Sequence, residues 1–421
     1  MSTPRDPATP AGALASRVRA ALSSPGLRRV AGATAAVMTP ARTAARSAHV
    51  LVAPPGHGNI GDQALVEAFA EAVPGEVVVV TRRPGDVVVP RDAARRVRVV
   101  PLPSLVYGGA VGHARDVRRF ARLLDSAVSL SVLGADVMDG AYVPGASIAR
   151  ADIARLGARR GVDTRVLGFS WNAAPHPAAL EAVLRAEAAG VRMLLRDPVS
   201  AERAARDGFR DPVLTADIVF TAESADDALA EEVAARLEGR PFAIVNASGL
   251  VGEVSSQLGE YLRVVDALRG HGLGVVVLPH VSRPGADDLP ICRAVVEAAG
   301  DPSVVLVEGL RTPREIRGLA RTAAITVTGR MHLAIMSMLA GVPAVTVATQ
   351  GKVEGLMVSL EAPELCVAPA DDLGARIVAV LETALPAGSA TRAAIARTLP
   401  GVVERARRNV DGLASTVAAI G

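Results

Sequence analysis

From residue 48 onward the chain alternates short β-branched runs with alanine-rich stretches of helical periodicity, the signature of a mostly parallel sheet covered by helices. A first series predicts strands at His49–Ala53, Glu76–Arg82, Ser129–Leu133, Thr164–Gly168 and Val191–Leu195, with helices such as Asp62–Ala72 and Pro198–Asp207 between them. A second series begins at Pro241, with strands near Phe242–Asn246, Gly274–Leu278, Ser303–Val307, Ala324–Thr328 and Ala344–Ala348. The acidic stretch Ala222–Gly239 between the two series reads as a connecting helix, and Ser389–Ile420 as a closing one. The pattern predicts an α/β protein of two Rossmann-like, doubly wound domains facing a cleft, the default place for a ligand. Its expected organisation is a tail over 1–47, a first domain over 48–222, a linker helix over 223–240, a second domain over 241–388 and a helical segment over 389–421.

Charge sets the tail apart. Residues 1–47 carry seven arginines against the single acid Asp6, while the whole chain of 421 residues has a net charge of only +3. Proline at 4, 7, 10 and 40 breaks any long helix there, and no apolar run of signal-peptide length occurs. The tail is therefore expected to be disordered, with weak contact to an anionic membrane through a segment such as Ala11–Leu22 as the second reading. A cytoplasmic location, peripheral at the inner membrane face if the tail docks, goes with it. The uncharged stretch Met331–Gly351 is long enough to suggest a membrane span, but Gly341 and Pro343 cut it into helix, turn and strand. Two cysteines without CxxC spacing exclude a disulfide framework, and no histidine pair with metal-ligand spacing supports a metal site. Ten aromatic residues and a near-neutral charge make nucleic acid an unsuitable partner.

At the end of the first strand stands Gly56-His57-Gly58-Asn59-Ile60-Gly61-Asp62, which satisfies GxGxxG. Asp62, however, puts a carboxylate at the opening of the helix, where a dinucleotide pyrophosphate needs bare N–H groups. No acid follows the second strand to hold a ribose; Thr81-Arg82-Arg83 stands there, and would at most favour a 2′-phosphate. Asp62 reads equally well as a helix N-cap or as a substrate contact, and Asn59 and Asp62 have the chemistry to bond sugar hydroxyls.

The densest constellation is Thr328-Gly329-Arg330-Met331-His332, leaving a strand and entering a helix. Carboxyl ends of strands are where open α/β sheets bind ligands, and an extended turn would let Arg330 and His332 share a side. Lys352, the only lysine of the chain, follows the next strand; among arginines everywhere else, one ammonium hints at a requirement a guanidinium does not meet. Arg196 closes the strand ending at Leu195, where Arg196-Asp197 and Ser200 also read as a helix cap with a structural ion pair. His280 is another strand-end candidate.

Gly58-Asn59-Ile60-Gly61-Asp62, Leu195-Arg196-Asp197 with Ser200, Asp217, and Gly329-Arg330-Met331-His332 followed by Gly341-Val342-Pro343 and Lys352 together resemble the polysaccharide pyruvyl transferase family over roughly residues 48 to 360. The resemblance implies a GT-B-like pair of domains, the first on the acceptor side and the second on the donor side. It implies phosphoenolpyruvate as co-substrate, no further cofactor, and an acceptor sugar of a cell-surface glycan or its precursor, with a lipid-linked form within that range. By this match Arg196, Arg330 and His332 line the donor site; beside it, Lys352 is the further cation for phosphoenolpyruvate, His332 has the chemistry of an acid or base, and Asn59, Asp62, Asp136 and His280 are the acceptor candidates. Where relatives carry a glycine triplet this chain reads Gly134-Ala135-Asp136, so Asp136 or Asp139 is the place where acceptor recognition would differ. The alternatives are a GT-B glycosyltransferase or nucleotide-sugar epimerase, an NADP-dependent oxidoreductase, and a non-catalytic glycan-binding protein.

Overall fold

The computed structural model describes residues 24–42, 45–249, 254–348 and 351–413. Helix α1 (Pro25–Val37) precedes the first sheet. The first domain then runs β1 (Ala48–Val52), α2 (Ile60–Ala72), β2 (Glu76–Thr81), β3 (Val97–Pro101), α3 (Ala110–Leu123), β4 (Ala127–Leu133), α4 (Pro144–Arg159), β5 (Asp163–Phe169), α5 (Pro177–Glu187), β6 (Arg192–Leu195), α6 (Pro198–Arg206) and β7 (Val213–Leu214). Helix α7 (Ala228–Arg236) leads to the second domain: β8 (Phe242–Asn246), α8 (Val254–Gly270), β9 (Gly274–Val277), α9 (Leu289–Ala299), β10 (Val304–Leu306), α10 (Pro313–Thr322), β11 (Ile325–Thr328), α11 (Met331–Leu339), β12 (Ala344–Val347), α12 (Lys352–Ser359), β13 (Cys366–Val367), α13 (Leu373–Ala384) and α14 (Ala390–Arg407).

Both sheets are parallel, ordered β3-β2-β1-β4-β5-β6-β7 and β10-β9-β8-β11-β12-β13. Each reverses direction of winding once, between β1 and β4 and between β8 and β11, which opens a crevice at the carboxyl ends of those strands. Strand β9 is buried along its whole length, so its Gly-Val-Val-Val sequence shows no polar alternation. One apolar cluster runs from the α2 face of the first sheet through Ile218, Val219 and Phe220 into the second domain. The domains are thus fastened by shared core, and α14 returns the chain to the first domain, where Asn409 Oδ1 accepts from the Gly168 amide at 2.9 Å.

The tail reading needs correction from residue 24 onward. Ser24 caps α1, whose buried stripe of Arg28, Gly32 and Ala35, continued by Thr39 just past its end, lies against α3. Arg28 Nη2 donates to the carbonyl of Leu105 at 3.1 Å, and any side chain at Gly32 would collide with the His113 ring. A stripe made of an arginine, a glycine and an alanine carries too little hydrophobic contrast to register as an amphipathic pattern. The segment Ala11–Leu22 lies outside the described residues. Among the described residues no helix is long and apolar enough to cross a membrane.

Candidate active site

The loop after β1 and the loop after β9 meet across the cleft. Asn59 and Val281 form an isolated antiparallel bridge, the Ile60 amide donates to the His280 carbonyl at 3.2 Å, and the Ser282 amide to the Gly58 carbonyl at 2.8 Å. Gly58 has φ +76° and packs so tightly on the Ser282 carbonyl that no Cβ fits there. Asn59, not Asp62, is the helix N-cap: its side chain accepts from the Gly61 amide at 2.9 Å. Asp62 instead sits in the first turn of α2, 9% exposed, with Arg283 Nη1 3.8 Å away. Burial drives its carboxyl upward, the charges of His332 and Arg283 pull it back, Asp136 adds repulsion, and the result is about 6.

His332 stands in the first turn of α11 with its ring against the Gly61 backbone, where a side chain would occupy the same space. Its Nε2 is 3.5 Å from Asp217 Oδ2, the oxygen that also accepts from Arg196 Nη1 at 2.9 Å. Arg196 Nε donates to Ser170 Oγ at 2.8 Å, so the guanidinium is fixed at two edges. Burial would raise the Asp217 carboxyl, but His332 and Arg196 outweigh it and hold it at about 2. Asp197 caps α6 by accepting from the Ser200 amide at 2.7 Å, so the cap reading holds for that residue while the arginine beside it pairs elsewhere.

Arg330 has extended backbone, φ −118°, as the residue before α11, and its side chain makes no cap but pairs with Asp288. Its Nε lies 3.2 Å from both oxygens of Asp288, and Nη2 2.5 Å from Oδ1. Asp288 is wholly buried and also accepts from Asn246 Nδ2 at 3.1 Å and from the amides of Gly249, His280 and Val281 at 3.0, 3.1 and 3.0 Å. The donor role assigned to Arg330 therefore has to be shared with a structural one. Lys352, at the start of α12, reaches across the cleft to Asp136 Oδ2 at 2.5 Å, and Tyr142 donates to the same oxygen at 3.0 Å. Burial would raise the Asp136 carboxyl; Lys352 and Arg196 hold it well below the usual carboxylate range instead.

His280 corrects another expectation. It is 1% exposed, neither ring nitrogen has a hydrogen-bond partner, and its imidazole is held well below its ordinary pKa by burial and by the charges of His332 and Arg330. A ring so enclosed is a neutral neighbour of His332 and does not face an acceptor in the open cleft. Asp139, next to the site, spends Oδ1 on the Ala141 amide at 2.9 Å. Among the described residues no three His, Cys, Asp or Glu side chains gather as metal ligands.

The structure thus brings Asn59, Asp62, Asp136, Arg196, Arg330, His332 and Lys352 to facing strand ends, and adds Asp217, Ser170, Arg283 and Asp288. A model of the polysaccharide pyruvyl transferase family matches residues 59–351, which contain every one of these groups except Lys352. The chain belongs to the polysaccharide pyruvyl transferase family. No curated protein matches it. Solved structures of the same architecture include the Neisseria meningitidis UDP-GlcNAc 2-epimerase bound to UDP-GlcNAc, 9% identical over 88% of this chain and 99% of that one, TM-score 0.53. Medicago truncatula UGT71G1 complexed with UDP-glucose is 12% identical over 89% of this chain and 97% of that one, TM-score 0.51. At such identities the likeness speaks for the fold: two Rossmann-like domains in a GT-B arrangement.

Proposed function

We propose that the chain transfers pyruvate from phosphoenolpyruvate to two hydroxyls of one sugar in a cell-surface glycan or its precursor, forming a cyclic ketal and releasing phosphate. The observation that carries this reading is the setting of His332 in a member of this family: Asp217, Asp62 and the Gly61 backbone surround it, and three cations stand at the neighbouring strand ends. Phosphoenolpyruvate brings a carboxylate and a phosphate. Arg196 and Lys352 are the cations suited to meet them, with Arg330 supplying field from behind its pairing with Asp288.

The enol π pair takes a proton at the methylene carbon while one sugar hydroxyl bonds to the central carbon and gives up its proton. The bond from that carbon to the phosphate oxygen then breaks, phosphate leaves with the electron pair, and the second hydroxyl closes the ring and loses its proton. His332 is the group placed to move these protons, with the Asp217 carboxylate 3.5 Å from its Nε2 to orient the ring. Asp62, which titrates near neutrality, is the second proton carrier on the facing domain.

Ligand-dependent melting tests the donor. Phosphoenolpyruvate at 100 times its dissociation constant should stabilise by about 2.7 kcal/mol. Stabilisation by a nucleotide sugar and none by phosphoenolpyruvate would favour a glycosyltransferase or epimerase instead.

A further inference from the structure

A cavity of about 290 Å³ opens in the first domain, away from the strand-end cluster, between α1 and the N-termini of α3 and α4. Its walls combine Arg28 and Arg29 with Tyr107 and with apolar Val106, Val143 and Ile148. Arg28 is nine-tenths buried and its Nε has no hydrogen-bond partner. Behind the wall Arg150, 1% exposed, donates to the Tyr107 hydroxyl at 2.7 Å and forms no ion pair among the described residues, while Arg82 lies 4.9 Å from the same ring. The one acid of the lining, Asp152, is already shared by Arg29 at 3.1 Å and Arg155 at 3.2 Å. Neither α3 nor α4 carries a side-chain cap, so both direct the positive ends of their dipoles toward this region.

Buried guanidinium without a carboxylate and two uncapped helix starts around one hollow are the makings of an anion site. Its apolar walls require the anion to carry an organic substituent, and its volume suits a diphosphate ester rather than a lone ion. The cavity is joined to the cleft by one short loop: Tyr142 bonds Asp136 at 3.0 Å, and Val143 lines the cavity. We propose that this cavity holds the phosphate or diphosphate through which the acceptor sugar is attached to its carrier. The proposal rests on the pyruvyl-transfer reading for the word acceptor; the diphosphate subsite itself does not. Leu27, Val30 and Tyr142, all exposed, are immediate chain neighbours of its lining residues Arg28, Arg29 and Val143.

The test is titration of the full chain with inorganic pyrophosphate, read by calorimetry and by hydrogen-exchange protection. Arg28→Gln and Arg29→Gln should each weaken binding at least tenfold, while Arg376→Gln, on the exposed surface of the second domain, changes it less than twofold. Arg29 is partly exposed, so its replacement keeps the test valid if Arg28→Gln loosens α1. Protection should appear over 104–113 and 143–149. Equal binding by wild type and Arg29→Gln, or protection confined to residues near 196, 330 and 352, overturns the proposal. Geranyl diphosphate and uridine diphosphate then separate the sources: at least tenfold tighter binding of the first points to a prenyl carrier, of the second to a nucleotide, and either supports the subsite. Pyrophosphate binding here without phosphate release from phosphoenolpyruvate would sink the functional reading and leave the subsite standing; turnover with no binding here does the reverse.

Discussion

A single carboxylate oxygen joins the two halves of the site: Asp217 Oδ2 accepts from Arg196 Nη1 at 2.9 Å and lies 3.5 Å from His332 Nε2. Arg196 and Asp217 belong to the first domain and His332 to the second, so the contact fixes the histidine's orientation and the closure of the cleft together.

Asp217→Asn should leave Arg196 as a buried cation without its counter-charge, at a cost of about 3–5 kcal/mol in urea unfolding. The pH dependence has a definite sign. A carboxyl held at about 2 in the folded chain contributes stability above the unfolded value near 4 and loses it as pH falls toward 2, so the wild type should show an acid-limb loss that the variant lacks. Turnover should fall as well, because the histidine loses the charge that orients it.

Asp62→Asn should act with the opposite sign. Its carboxyl, raised to about 6, binds a proton more tightly folded than unfolded, so its contribution is fully present below about pH 4 and is lost as pH rises through 6. An amide does not ionise, and the variant should therefore gain stability on the wild type between pH 4 and 7, by roughly 3 kcal/mol at most. Melting curves at pH 4 and pH 7.5 check this. Turnover should fall in the same variant if the carboxylate shuttles protons; unchanged turnover would reduce Asp62 to a spectator.

Arg330→Lys retains charge but gives up the planar fork that grips both oxygens of Asp288. Because Asp288 also gathers the Gly249, His280 and Val281 amides, the loss should reach the fold, about 1–3 kcal/mol, along with donor affinity. A variant that melts like the wild type yet binds phosphoenolpyruvate poorly would show that Arg330 serves the donor alone.

Lys352 and Asp136 neutralise each other across the cleft. Asp136→Asn should release the ammonium and tighten phosphoenolpyruvate binding several-fold, whereas Lys352→Met should weaken it; calorimetry on the two variants gives both signs. Unaltered affinity in both would remove Lys352 from the donor site.

Much of this was legible in the sequence, and the rest was hidden for physical reasons. Ten strands of the two series appear within about two residues of their predicted limits, because a parallel strand covered on both faces writes itself as an uninterrupted valine-rich run. Val97–Pro101 carries no strand pattern because it is an edge strand, only its first residue buried, with an arginine inside it. Arg196, Arg330, His332 and Lys352 stand at facing strand ends, as their places after predicted strands imply. Those places give no hint that Arg330 is bound to Asp288, since the partner comes from a different loop and its demand is set by burial. The sequence leaves Asp62 open between N-cap and substrate contact because Asn and Asp both cap helices, and only the turn geometry puts the cap at Asn59. Helix α1 leaves no amphipathic signature because small residues build its packed stripe.

The most direct measurement of the central claim is transfer from carbon-labelled phosphoenolpyruvate in deuterated water, using a cell-envelope glycan extract as acceptor and His332→Gln as comparison. The account predicts one acid-labile labelled pyruvate per phosphate released, a single deuterium in its methyl group, and a rate lowered roughly a hundredfold or more in the variant while phosphoenolpyruvate still binds. A His332→Gln chain that transfers at the wild-type rate, or a wild type that leaves phosphoenolpyruvate untouched while consuming a nucleotide sugar, would contradict it.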